Sequence, residues 1–192
     1  MKTTQSPQET RVFLREQIAS DPRNHCVRLI DTLRVPGDEA HESAVLPMLR
    51  EFDLPEFDTV GEVVDFVKQV LEAFAFLHEH RVAQRDVRVE NIMMDHTALG
   101  MERFHFIIDF GFSKQFTIDE MPPSELPLHT TDSMLPELEN MGKPGNPFPS
   151  DVYYVGNMWK MDFITGFPED IFRKDDRLTI QEAVEKFDNI TA

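Results

Sequence analysis

Residues 59–80 carry the strongest constraint on the fold. Thr59 and Glu62 form a capping box, with a hydroxyl at the cap and a carboxylate three residues on. Val60, Val63, Val64, Val67, Val70, Leu71, Phe74 and Leu77 then recur at helical spacing. A stripe this wide needs cover on more than one side, so the spacing predicts a central buried helix ending near His80. Other elements read around it. Ser6-Pro7-Gln8-Glu9 opens a helix expected to run to about Ala19, and Asp21-Pro22-Arg23-Asn24 breaks it. Residues 27–35 and 44–49 read as strands joined by a Pro-Gly-acid turn at 36–39. Residues 91–95 and 104–108 read as a hairpin around a polar turn, and 112–149, rich in proline and without period, as a long ordered loop. Ser150 is expected to cap a helix carrying Val152, Val155, Trp159 and Phe163, stopped by Gly166-Phe167-Pro168. Thr179 and Glu182 open a last helix with Ile180, Ala183, Val184 and Phe187 inward.

Composition bounds the class. The chain has 192 residues, 41% hydrophobic and 28% charged, which suits one globular domain with a real core. Phe 16 against Tyr 2 and Trp 1 implies a core built largely from phenylalanine. A net charge of −16 argues against unaided binding to nucleic acid or an anionic membrane, and leaves little spare cation for phosphates. Cys26 is the only cysteine, which fits a reducing compartment. The opening residues are polar, and no run approaches the ~18 apolar residues of a membrane span. An intracellular protein, cytoplasmic or nuclear, is expected. His78 and His80 have no partner at zinc spacing. Met93-Met94, Cys26 and the stretch Phe104, Phe106, Phe110, Phe112 read as core.

Three oxygen-bearing residues carry the chemistry. Asp86 and Asn91 lie five positions apart in Gln84-Arg85-Asp86-Val87-Arg88-Val89-Glu90-Asn91, and Asp109 follows the hairpin in Ile107-Ile108-Asp109-Phe110-Gly111. Phosphoryl transfer is mostly positioning and charge neutralisation. It uses one carboxylate to orient the acceptor hydroxyl, and an amide oxygen with a second carboxylate to hold Mg²⁺. The hairpin is expected to bring Asp109 back beside the first loop, with Gly111 permitting the turn after it.

These stretches resemble the catalytic loop and metal-binding turn of the eukaryotic protein kinase family. Further motifs follow in the family's order. Leu135-Pro136-Glu137 resembles the motif closing the activation segment. Pro149-Ser150-Asp151-Val152-Tyr153 resembles the start of the family's central helix, whose aspartate tethers the catalytic loop. Asp175-Asp176-Arg177-Leu178-Thr179 resembles the segment whose arginine pairs with that glutamate, so Glu137 and Arg177 are expected to form a buried ion pair. Asn24 to Asp31 resembles the fourth strand of the small lobe. The wording of Asp21-Pro22-Arg23-Asn24-His25-Cys26-Val27 and Asn91-Ile92-Met93-Met94-Asp95 is similar to kinase-like proteins of basidiomycete fungi. The resemblance covers roughly residues 10–188.

It implies an α+β, kinase-like fold over 1–192: a remnant small lobe over 1–52, with one helix and two strands, and a mainly helical large lobe over 53–192. It implies ATP and Mg as cofactors and a protein substrate or partner. Asp86 would be the base, Arg88 a phosphate contact, and Asn91 and Asp109 the metal ligands. Arg85 would organise the activation segment, either through a phosphate at Thr130 or Thr131 or through Asp119, Glu120 or Glu125. Arg85, Gly111, Glu137, Asp151 and Arg177 would be structural. The departures are specific. Gly37 is the first glycine, so no glycine-rich loop precedes it, and Lys2 is the only lysine before Lys68. Glu9, near the place of the small-lobe helix glutamate, has no such lysine to pair with. Gln84 stands where the family has histidine, and Arg88 where its Ser/Thr members have lysine. The expected function is therefore phosphoryl transfer from ATP to protein Ser/Thr, weak or absent in the isolated chain. The alternative is a pseudokinase acting as a binding or scaffold module. A small-molecule kinase fits less well, because that class lacks the pair at Glu137 and Arg177.

Overall fold

The repeat at 59–80 forms α1, Val60–Glu79, in a computed structural model describing residues 21–95, 103–128, 142–162 and 179–191. Its capping box is made. The Thr59 hydroxyl accepts the Glu62 N–H at 3.2 Å, and Glu62 Oε2 accepts the Thr59 N–H at 3.0 Å. Phe66, Val67, Val70, Leu71, Phe74 and Leu77 are all buried along it. Val60, expected on the apolar stripe, is 79% exposed. Helical period fixes which face is apolar, not where along the axis cover begins, and full burial begins only at Phe66.

Among the described residues two further helices contribute to the core. From α2, Phe148–Asp162, come Val152, Val155, Met158 and Trp159, and from α3, Ile180–Thr191, come Ile180 and Ala183. α3 packs against α1 and starts with the expected capping box, Thr179 Oγ1 accepting the Glu182 N–H at 3.2 Å. α2 begins two residues before Ser150. Asn146 Oδ1 accepts the Phe148 N–H at 3.1 Å, so Asn146 does the capping expected of Ser150, which lies in the first turn.

The strands are short. β1, Asp31–Val35, and β2, Asp38–Val45, form an antiparallel pair with Asp31 opposite Val45, joined through Gly37 at φ 79°. β3, Leu49–Glu51, joins β5, Ile92–Asp95, and β6, His105–Ile107, in an antiparallel sheet with β5 central. β4, Val82–Ala83, pairs with β7, Lys114–Gln115. Val27, expected in the first strand, pairs with the β5–β6 hairpin instead, while Ile30 N–H donates to the Val45 carbonyl of β2 at 2.9 Å. Val27 N–H donates to the Ile107 carbonyl at 2.9 Å, and Ile107 N–H to the His25 carbonyl at 2.7 Å. Alternation along β6 turns His105 and Ile107 inward, which leaves Phe104, expected in the core, 53% exposed. Cys26 is buried, and burial pushes its thiol well above the usual range.

Arg103 locks the 52–58 linker to this frame. Its guanidinium donates to the carbonyls of Pro55 and Glu56 and to Glu62, and lies 5.0 Å over the Phe57 ring. The architecture is the expected α+β one: small antiparallel sheets above a helical core. The expected helix at 6–19 lies outside the described residues. Among the described residues no helix is long and apolar enough to cross a membrane.

Candidate functional site

Strand pairing brings the two motif loops together. The loop 84–91 runs from β4 to β5, and the turn at 109–111 runs from β6 to β7. β4 pairs with β7 and β5 with β6, so each loop is anchored beside the other at both ends. Side chains finish the contact. The Gln84 amide, fully buried, donates from Nε2 to the Asp109 carbonyl at 3.1 Å and accepts the Asp86 N–H on Oε1 at 2.6 Å. Ile108 N–H donates to the Asn91 carbonyl at 2.9 Å. Asn91 Nδ2 donates to Asp86, to the carbonyl at 2.8 Å and to Oδ2 at 3.2 Å. Asp86, Asn91 and Asp109 are thus linked through Gln84 and the hairpin.

Asp151 holds the loop from below. It is fully buried in the first turn of α2. Its Oδ2 accepts the Gln84 N–H at 2.9 Å and contacts His78 Nε2 at 3.0 Å, while Oδ1 accepts the Arg85 N–H at 2.8 Å. This tether lets Arg85 keep a left-handed backbone, φ 69°, which an arginine adopts only under constraint. The turn at 109–111 departs from expectation in one detail. The left-handed residue is Asp109 itself, φ 52°, not Gly111. Asp109 Oδ1 accepts the Gly111 N–H at 3.1 Å, and a Cβ at Gly111 would meet that oxygen at 3.0 Å. Any larger residue there would have to push the Asp109 carboxylate aside by a few tenths of an ångström.

The donor set suits a hard cation. With its nitrogen spent on Asp86, Asn91 offers its amide oxygen, and Asp109 offers carboxylate oxygen, the ligands Mg²⁺ prefers. The nearby histidines are occupied elsewhere, His78 on Asp151 and His80 Nδ1 on the Phe76 carbonyl at 2.8 Å. Among the described residues no group of His, Cys, Asp and Glu forms a metal cluster. Arg88 is half-exposed and ion-paired with Glu90 at 3.0 Å. Next to the loop opens a cleft of about 890 Å³, with Phe52, Val89, Ile92 and Met93 as apolar wall and Glu51, Asp53, Glu56 and Glu90 as acidic rim. That size and lining suit a flat, mostly apolar ligand. Glu137, Arg177, Thr130 and Thr131 lie outside the described residues.

Comparison with known sequences decides the family. A model of the protein kinase domain matches residues 20–187. The chain belongs to the protein kinase family. Mitogen-activated protein kinase kinase kinase 15 of Mus musculus is 32% identical over 91 residues, 47% of this chain and 6% of that protein. Serine/threonine-protein kinase CAK1 of Saccharomyces cerevisiae is 38% identical over 50 residues, 26% of this chain and 14% of that protein. Mitogen-activated protein kinase kinase kinase 6 of Homo sapiens is 25% identical over 124 residues, 65% of this chain and 9% of that protein. The chain spans only a small part of the length of these relatives.

In this kinase domain two positions do more than the sequence reading assigned them. Gln84 was legible only as a missing histidine, yet its amide bridges both motif loops. His78 was legible as a helix-end histidine, yet it contacts the buried Asp151. The available signal was spacing: His78 follows Phe74 by four, so it continues the apolar face of α1.

Proposed function

We propose that this kinase-family domain carries the large-lobe half of a phosphoryl-transfer site directed at Ser/Thr of proteins, with weak or no turnover as an isolated chain. The carrying observation is the linked set Asp86, Asn91, Asp109, held by Gln84 and Asp151. Asp86 would accept the acceptor hydroxyl's proton. Asn91 and Asp109 would hold Mg²⁺, which when bound supplies neutralisation of the phosphate charge. Arg88, paired with Glu90 at 3.0 Å, would be the phosphate contact. The apolar wall of the cleft would take the base of the nucleotide. The similarity to basidiomycete kinase-like proteins belongs to the same reading.

A second reading, a binding or scaffold module without turnover, is favoured by one feature. No lysine lies between Lys2 and Lys68, and among the described residues the cleft rim carries four carboxylates with no cation. Losing one transition-state charge contact commonly costs ~3 kcal/mol, a hundredfold or more in rate. The experiment combines thermal unfolding with Mg-ATP and phosphate transfer to a mixed Ser/Thr peptide pool. We expect almost no Mg-ATP shift and slow transfer abolished by Asp86→Asn. Transfer unchanged by Asp86→Asn would exclude this site. Absence of both binding and transfer would favour the scaffold reading. A shift of many degrees lost in Asp109→Asn would show that the missing contacts are supplied otherwise.

A further inference from the structure

Among the described residues, no side chain of the β1–β2 hairpin belongs to the main buried core. A two-stranded hairpin is marginal in water unless one face is covered. One side of this hairpin is open and apolar. Where the chain enters it, Val27 and Leu29 are buried while Arg28 and Ile30 are exposed. Where the chain leaves it, Ala44, Leu46 and Met48 are exposed while Val45 and Pro47 are half-buried. Alternation places Arg28, Ile30, Thr32 and Arg34 on one side. The register sets Thr32 opposite Ala44, so Glu42, Ala44, Leu46 and Met48 share that side. Ile30 is 58% exposed and Met48 74% exposed, so this is a run of neighbouring apolar side chains rather than a scatter of single ones. The charge of the side is unlike that of the chain. It carries two arginines and one glutamate, with Glu42 opposite Arg34, in a molecule of net charge −16. Among the described residues the Arg28 side chain has no hydrogen-bond or ion-pair partner. Arginine and methionine set among aliphatic residues is the composition of a protein interface.

We propose that this side of the β1–β2 hairpin docks an acidic amphipathic helix of a partner protein. A helix laid on a sheet buries its apolar stripe against the sheet's apolar face. Ile30, Leu46 and Met48 take the stripe, and Arg28, with Arg34 beyond it, meets carboxylates flanking the stripe. Charge chooses the occupant. A second copy, itself at −16, is repelled by the molecule as a whole. A basic helix is drawn to the chain's many carboxylates, not to a side with an unpaired arginine. The surface shares no residue with the phosphoryl-transfer site. Its test is read on binding, so the two readings fail separately.

The probes are two fluorescent amphipathic peptides of about 18 residues, about 27 Å long as helices. Both carry leucine on one face; the other face is glutamate in one and lysine in the other. Binding to the full chain is measured by fluorescence anisotropy at about 0.15 M salt, where the Debye length is roughly 8 Å and distant charges are screened. The glutamate peptide is expected to bind at least about tenfold more tightly than the lysine peptide, the reverse of what the net charge alone dictates. Ile30→Asp and Met48→Asp, both at exposed positions that leave the core untouched, should each weaken it about tenfold or more. Arg28→Glu should abolish the preference for glutamate. No binding of the glutamate peptide, equal or tighter binding of the lysine peptide, or affinity unchanged in Met48→Asp would each overturn the proposal. So would a concentration-dependent dimer in sedimentation that Met48→Asp dissolves, which would assign the surface to a second copy.

Discussion

At the scale of single residues, Asp151 has the most to lose. Its two oxygens satisfy the backbone N–H groups of Gln84 and Arg85 and meet His78, all away from water. Removing a buried acceptor strands its donors, at about 1–3 kcal/mol each. Asp151→Ala is therefore expected to destabilise the chain by about 3 kcal/mol or more, measured by urea denaturation. A loss below ~0.5 kcal/mol, the range of an ordinary surface change, would mean the tether is ornamental. The aspartate was legible in the sequence, because it sits in a motif at a helix start. Its partners were only half legible. Two are main-chain N–H groups, which every residue but proline carries, and the third is a histidine whose role depends on the end of α1 meeting the start of α2. The same holds for Gln84. A sequence marks it as a substitution, but its value lies in an amide that donates to one loop and accepts from the other. Only the folded geometry states that.

At the scale of elements, Glu62 serves two elements at once. It closes the α1 capping box through Oε2 and receives Arg103 at Oε1, 3.1 Å away, where the guanidinium also holds the linker carbonyls. Thr59→Ala removes only the cap, at about 1 kcal/mol. Glu62→Ala should cost more, because it opens the cap and strands Arg103, which is 6% exposed. Chemical denaturation of the two variants orders them, and equal losses would show that Arg103 does not lean on Glu62. Capping boxes were readable at Thr59 and Thr179 because both halves lie within one turn of each other. Ser150 misled for a related reason: a hydroxyl near a helix start is a candidate cap, but Asn146 is already bound to the Phe148 N–H and starts the helix earlier. Strand ends were the least legible. Val27 takes Ile107 as partner and Ile30 takes Val45, and Ile107 lies far away in sequence.

At the scale of the whole molecule, pH sets two trends against each other. The net charge of −16 means that protonating carboxylates relieves self-repulsion, but that relief comes mainly near and below pH 5, where carboxylates titrate. Above it, His105 governs. Its ring is buried against Phe66 and Phe57, and burial pushes its pKa down to about 4, against the support of the Phe52 carbonyl. The unfolded chain takes up this proton near the ordinary value of about 6.5. Between those two values the unfolded state binds more protons, so stability rises with pH and is lost as pH falls from 6.5 toward 4. The shift is worth roughly 2–4 kcal/mol over the full interval. The carboxylates of Glu62, held down chiefly by the Asp58 N–H, and Glu182, held down chiefly by the Thr179 N–H, lose stability in the same direction. Their losses begin only as pH falls through the ordinary carboxylate value of about 4.3, so they leave the upper part of the window to the imidazole. The expected profile is a fall in unfolding free energy between pH 6.5 and 5 in the parent chain, and a much flatter one in His105→Gln, whose amide can still reach the Phe52 carbonyl. An identical slope in both proteins, or a His105 ring signal titrating near its ordinary value by NMR, would place the acid sensitivity elsewhere and contradict the packing of His105 against the 52–58 linker.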